Sequence, residues 1–210
     1  MKENIEKELK RVVILVELPW GRDKDPRVPL GHASLLSKIR LDDGIKVHSV
    51  VHPVNNSDFD VIKVFNEIIG LVNTNKETQI DLAFGVYVWS EDIIQRLLLM
   101  MSMADFQGRI ILGGPQISYS GIGLEKHYPN ADIFIRGYGE FALSTLIKSK
   151  SRIQIPGVHY AGEKDLLQQS SVDLNLLPSP WLNGAIDIRD QDFIRWESQR
   201  GCPFKCSFCS

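Results

Sequence analysis

The first 150 residues alternate between short β-branched runs and longer stretches in which apolar residues recur every three or four positions. Val12-Val13-Ile14-Leu15-Val16 is an unbroken apolar run that stops before Pro19. With no polar face, it reads as a strand buried on both sides of a parallel sheet. A helix is expected over residues 30–39 and a second strand over residues 45–51, ended by Pro53. Ser57 or Asp58 is placed to cap the next helix, whose apolar set Val61, Ile62, Phe65, Ile68, Ile69 and Val72 follows a 3.6-residue period. Residues 80–88 predict a third strand. Ser90-Glu91-Asp92 then offers a cap and an acidic first turn, and Ile93, Ile94, Leu97, Leu98 and Met101 line one helix face. Residues 109–112 predict a fourth strand, closed by Gly113-Gly114-Pro115. A short helix near Leu124, a fifth strand over 131–135 and a helix over 140–148 complete the series.

Five strands alternating with helices predict an α/β fold, a doubly wound, mostly parallel five-stranded sheet of Rossmann-like or flavodoxin-like type. Beyond residue 150 the texture changes. Ile155-Pro156-Gly157-Val158-His159-Tyr160 suits a short hairpin strand, and the stretch holding Pro178, Pro180, Trp181 and Gly184 reads as a surface linker. Phe193-Ile194-Arg195-Trp196-Glu197 is strand-like again. The expected division is therefore a sheet domain over 1–150, a linker with short strands over 151–190, and the start of a further domain over 191–210.

Ligands of doubly wound sheets bind outside the carboxyl ends of the strands. Three segments fall there: Gly85 to Ser90, with Tyr87 and Trp89; Gly113-Gly114-Pro115; and Gly137-Tyr138-Gly139-Glu140. Missing side chains let a bulky ligand approach the backbone. Each glycine segment is equally the chemistry of a turn; their shared edge is what favours a ligand site. No G-x-G-x-x-G follows the first strand, and neither G-x4-G-K-[ST] nor G-x-S-x-G occurs, so mononucleotide and hydrolase readings gain no support. Gly121-Ile122-Gly123 reads as a loop, and His48 and His52 as a surface pair.

Composition changes little. Apolar residues make up 43% and charged residues 24%, and the net charge of −2 argues against nucleic acid or an anionic membrane as partner. The mixed-charge start, Met1-Lys2-Glu3-Asn4-Ile5-Glu6-Lys7, has no apolar signal region, and no apolar stretch reaches spanning length, so a cytoplasmic location is expected. The cysteines change much more. All three, Cys202, Cys206 and Cys209, stand in one C-x3-C-x2-C loop. An odd, crowded set is a metal or redox site rather than a disulfide framework. Three thiolates on one loop can hold three corners of an iron–sulfur cluster and leave the fourth iron open to a small molecule. A zinc site is disfavoured by the want of an obvious fourth ligand.

Arg200-Gly201-Cys202-Pro203-Phe204-Lys205-Cys206-Ser207-Phe208-Cys209 resembles the cluster loop of the radical S-adenosylmethionine (radical SAM) enzymes, which follows the first strand of a partial (β/α)6 barrel. The resemblance implies that Cys202, Cys206 and Cys209 ligate a [4Fe–4S] cluster. It also implies that S-adenosylmethionine chelates the open iron and is cleaved reductively to a 5′-deoxyadenosyl radical, with flavodoxin or ferredoxin as reductant. The preceding residues resemble the cobalamin-binding domain of the B12-dependent branch, at Pro29-Leu30-Gly31-His32, Gly85-Val86-Tyr87-Val88-Trp89-Ser90, Gly113-Gly114-Pro115 and Gly137-Tyr138-Gly139-Glu140. That likeness implies that the nucleotide tail of cobalamin enters beside Gly113 and Gly114, that Tyr87, Trp89 and Ser90 lie under or beside the corrin, and that Gly85, Pro115, Gly137, Gly139 and Glu140 add further contacts. Two departures stand out. There is no D-x-H-x-x-G, so no histidine ligand to cobalt is implied, and Gly85 stands where a small hydroxyl residue is usual.

The function implied is the cobalamin-binding N-terminal region of a B12-dependent radical SAM enzyme, methyltransferase-like in its parent form and acting on an unidentified small molecule. Only the first strand and loop of a barrel are expected here, so the chain is expected to be a truncated piece without activity alone. The alternative is a non-catalytic cobalamin- or ligand-binding module with vestigial cysteines.

Overall fold

The structure, a computed structural model, describes residues 11–22, 28–187, 189, 194–201 and 204. Along the chain run β1 (Arg11–Glu17), α1 (Leu30–Ile39), β2 (Ile45–Val51), α2 (Val61–Thr74), β3 (Gln79–Gly85), α3 (Glu91–Met103), β4 (Arg109–Gly113), α4 (Pro115–Ser118), α5 (Leu124–His127), β5 (Ile133–Ile135), α6 (Gly139–Lys148) and β6 (Val158–Tyr160). The strands form one sheet in the order β2-β1-β3-β4-β5-β6. The first five are parallel, and β6 pairs antiparallel with β5. The order of the first five is flavodoxin-like, with its topological switch point between β1 and β3.

The apolar run of β1 has a direct cause: all seven of its residues are buried, and successive side chains enter opposite layers. Val12, Ile14 and Val16 pack with α2 and α3 through Val64, Ile68, Ile94 and Leu97. Val13 and Leu15 pack with α1 and α6 through Leu36, Ile39, Leu143 and Leu146. The proline-rich stretch after β6 folds back over this second face, burying Ala185 and Ile186. Among the described residues no helix is long and apolar enough to cross a membrane.

Several local expectations are corrected. β3 ends at Gly85 rather than Val88, because the Val86 N–H donates to the Gly113 carbonyl (2.8 Å) and the Val86 carbonyl accepts from Gln116 (3.2 Å). Asp60, not Ser57 or Asp58, caps α2, its Oδ1 accepting from the Ile62 N–H at 2.8 Å. Ser90 occupies the cap position of α3, yet its hydroxyl turns back to Tyr87. The sheet has a sixth strand, β6, formed within the segment read as a hairpin strand. Residues 194–197 pair with no strand of the sheet among the described residues. The helix α4 was not anticipated; Pro115 opens it at a position where a missing N–H costs nothing.

Candidate functional site

A cavity of about 550 Å³ opens at the carboxyl ends of β1, β3, β4 and β5, between α1 and α6. Leu15, Ala83, Ile111 and Ile135 supply its sheet side, and Leu30, Leu35 and Leu143 its helical walls. α1 and α6 approach closely because α6 begins on Gly139, where a Cβ would stand 3.2 Å from Leu35. The two glycines after β4 do different work. At Gly114 (φ 95°, ψ −179°) a Cβ would lie 2.7 Å from the Val86 carbonyl oxygen and 2.8 Å from its nitrogen, so only glycine lets the two loops interlock. At Gly113 the nearest atom to a Cβ is 3.7 Å away, and its missing side chain is simply room in the cavity.

Gly114→Ala is expected to cost about 1–3 kcal/mol through strain at this backbone position. Gly113→Ala should leave stability nearly unchanged while narrowing the cavity. Thermal denaturation of the two variants side by side checks the distinction.

Glu17 closes β1 and is only 4% exposed. Its carboxylate reaches across to β3, where a Cβ on Gly85 would stand within van der Waals overlap of Glu17 Oε2. Burial pushes its carboxyl up to about 8, opposed in part by a hydrogen bond from the Tyr87 hydroxyl. Tyr87 is itself raised, by burial first and then by the Glu17 charge. The Tyr87 ring stacks on Trp89 (centroids 4.9 Å apart, planes 11° apart), and Trp89 Nε1 donates to the Leu18 carbonyl at 3.1 Å. His32, also at the cavity, lies 2.8 Å from the Ser49 hydroxyl, and burial lowers it to about 4, so it is neutral. Ser118 Oγ accepts from the Gly137 N–H at 2.9 Å.

On the opposite rim Glu140, in the first turn of α6, accepts from the Ser34 hydroxyl (2.8 Å) and from Arg200 Nη1 (2.6 Å). Both members of the Glu140–Arg200 pair are largely buried. Arg200 also bonds Glu197 (2.7 Å), and its guanidinium lies over the Tyr138 ring, 5.1 Å from the centroid. Gly201 follows at once, its Cβ position 3.7 Å from the Tyr138 hydroxyl. The residues that lead into the cysteine loop are thus fastened to the mouth of the cavity. Cys202, Cys206 and Cys209 lie outside the described residues, among which no group of three or more His, Cys, Asp or Glu side chains is placed to hold a metal.

Of the residues singled out from sequence, Gly85, Tyr87, Gly113, Gly114, Pro115, Gly137, Gly139 and Glu140 line this one cavity. Trp89 stands behind Tyr87, and Ser90 is buried in the turn. His48 and His52 are both partly exposed, and His52 bonds Glu67 at 2.7 Å. Sequence reasoning missed Glu17, Ser118 and Arg200 as cavity residues. The signal for Glu17 was a carboxylate directly after an unbroken apolar run. A smaller cleft of about 270 Å³ lies at the β5–β6 edge, but its Arg136 is committed to the Ile117 and Ser120 carbonyls and to Asp165.

No family model matches the chain. It is similar to the cobalamin-dependent radical SAM methyltransferase TokK of Streptomyces tokunonensis, with 29% identity over 146 residues, covering 61% of this chain and 21% of that protein. A 2-(S-pantetheinyl)-carbapenam-3-carboxylate methyltransferase of Streptantibioticus cattleyicolor shares 26% over 145 residues, with the same coverage of 61% and 21%. An uncharacterized methyltransferase of Pyrococcus horikoshii shares 24% over 230 aligned positions, 96% of this chain and 46% of its own length. The chain therefore spans about a fifth of the first two relatives and about half of the third. These partial similarities relate it to the cobalamin-dependent radical SAM methyltransferases.

Proposed function

We propose that this chain is the cobalamin-binding region of a B12-dependent radical SAM protein, methyltransferase-like, whose cavity between α1 and α6 takes the nucleotide tail of the corrin. In this reading Cys202, Cys206 and Cys209 ligate a [4Fe–4S] cluster. The observation that carries the reading is the cavity itself: it sits at the ligand-binding edge of the sheet, and the segment entering the cysteine loop is tied to its rim through Arg200 and Glu140. The lining fits such a tail. Gly113 leaves open space, Leu30, Leu35, Ile111 and Leu143 suit a flat apolar ring, and Glu17 with Tyr87 supplies a polar end.

Cobalamin, when bound, supplies methyl-carrier chemistry, and the cluster with S-adenosylmethionine supplies one-electron chemistry. The chain's own residues bind and orient. The two helices exclude water from the tail, the Tyr87–Trp89 stack stiffens one rim, and Arg200 holds the entry to the cysteine loop against the other. Methyl transfer to a small-molecule substrate, with a reductant such as flavodoxin or ferredoxin, belongs in this reading to a protein that also carries the rest of the barrel.

Incubation of the purified protein with hydroxocobalamin, followed by desalting, is expected to leave corrin absorbance with the protein; loss of all absorbance overturns the reading. Anaerobic reconstitution should give about four irons per chain. Retained corrin with no iron would instead favour a binding module whose cysteines do not ligate.

A further inference from the structure

We propose that the Glu17 carboxyl group donates a hydrogen bond to the unprotonated ring nitrogen of a flat heteroaromatic base seated between α1 and α6, and so selects corrins that carry such a base on their tail. The proposal rests on the cobalamin reading above and gives Glu17 a role that the reading does not require. Among the described residues three carboxylates line the cavity: Glu17, Glu140 and Glu197. The last two are bound to Arg200. Glu17 is met by the Tyr87 hydroxyl and, among the described residues, by no cation. An ionised carboxylate in that setting is costly, so the group is held as the neutral acid at neutral pH, in keeping with its value of about 8.

A neutral carboxyl has one O–H donor and keeps its acceptor oxygen. Tyr87 donates to Glu17, which leaves the Glu17 O–H in need of an acceptor. Among the described residues the cavity floor beside it offers none: Leu15, Ala83, Ile111 and Ile135 are apolar, and Gly85 is bare. The inner part of the cavity is therefore an apolar slot with the Glu17 acid as donor at its end, while Ser118, Tyr138 and Gln169 stand among its other lining residues. That chemistry suits a neutral heteroaromatic ring with an acceptor nitrogen, as the benzimidazole of cobalamin presents when it is off the cobalt. A phosphate or carboxylate is a poor fit for the inner end beside Glu17, which meets no cation among the described residues, and Arg200 at the rim is already paired with Glu140 and Glu197. The other titratable groups near Glu17 do not change this. Tyr87 stays protonated, His32 of α1 is neutral, His52 after β2 is turned to Glu67, and Glu140 of α6 is paired.

The test titrates the full chain with hydroxocobalamin and with cobinamide, the same corrin lacking the nucleotide tail. Wild type is expected to bind cobalamin at least about tenfold more tightly than cobinamide. Glu17→Ala should lose about tenfold toward cobalamin and stay within about twofold of wild type toward cobinamide. Glu17→Gln, whose amide donates without titrating, should keep the preference. Should Glu17→Ala fail to fold, wild type and Glu17→Gln suffice: the wild-type preference falls as pH rises through about 8, and that of Glu17→Gln does not. Equal weakening toward both corrins, no weakening, or a wild-type preference that ignores pH overturns the proposal and leaves the cobalamin reading standing. Failure of wild type to bind either corrin overturns that reading itself.

Discussion

Replacing Asp81 by alanine is expected to cost about 3–5 kcal/mol of stability and to leave the proposed corrin binding intact. Asp81 is fully buried near the amino end of β3 and joins three adjacent strands. Arg11 of β1 donates to it from Nη1 at 2.8 Å, and Arg109 of β4 donates from Nε and Nη2 at 2.7 and 2.6 Å. Alanine would leave two guanidinium groups around an empty acceptor, one of them 10% exposed and, among the described residues, keeping Gln79 as a side-chain partner at 2.7 Å. A guanidinium cannot escape by losing its proton, so the cost falls on the fold. A loss of this size lowers the melting temperature of a domain this long by roughly 6–20 °C. Asp81→Asn keeps the volume and one acceptor oxygen and should fall in between. The cavity lies at the opposite end of the same strands, so both variants should still retain corrin below their melting temperatures. Circular dichroism melts and hydroxocobalamin retention at 10 °C measure the two properties separately; melts within about 1 kcal/mol of wild type would show that the triad contributes little.

That separation of ends explains which features were legible in the sequence. β1 was legible because burial on both faces forbids polar residues along it, and α2 and α3 because one buried face imposes a 3.6-residue period. The glycine segments were legible as a site once the strands were recognised as parallel, since topology alone brings their carboxyl ends to one edge. The end of β3 was not, because Val86, Tyr87 and Val88 have the local preference of a strand. A carbonyl on β4 takes the Val86 N–H and turns the chain away. The role of β6 was hidden likewise, since its pairing with β5 depends on residues such as Ile133 and Tyr160 that are far apart in sequence. Glu17 looked like the polar end of an apolar strand. Its burial depends on Tyr87, 70 positions later, and on the bare Gly85. The Glu140–Arg200 pair spans 60 positions and has no local signature.

The pH dependence of stability is the sharpest consequence of burying Glu17 and His32 beside the same cavity. Glu17 ionises near 4.5 when unfolded and near 8 when folded. Between those values the folded protein holds a proton that the unfolded chain has released, so stability falls as pH rises. His32 ionises near 6.5 when unfolded and near 4 when folded, so over that range the unfolded chain holds the extra proton and stability rises with pH. His48, lowered by burial and by Lys46, acts in the same sense as His32. The opposing slopes of Glu17 and His32 largely cancel from about pH 4.5 to 6.5, and Glu17 acts alone above that. Wild type should therefore lose roughly 1–1.5 kcal/mol between pH 6.5 and 8. Glu17→Gln should be flat over that interval and rise more steeply below it, which urea unfolding midpoints at half-unit pH steps will measure. Equal wild-type midpoints at pH 6.5 and 8.5 would mean that Glu17 is not held protonated. Bound cobalamin, if it accepts the Glu17 proton in a hydrogen bond, stabilises the protonated form and should move the decline to higher pH in wild type, with no such movement in Glu17→Gln.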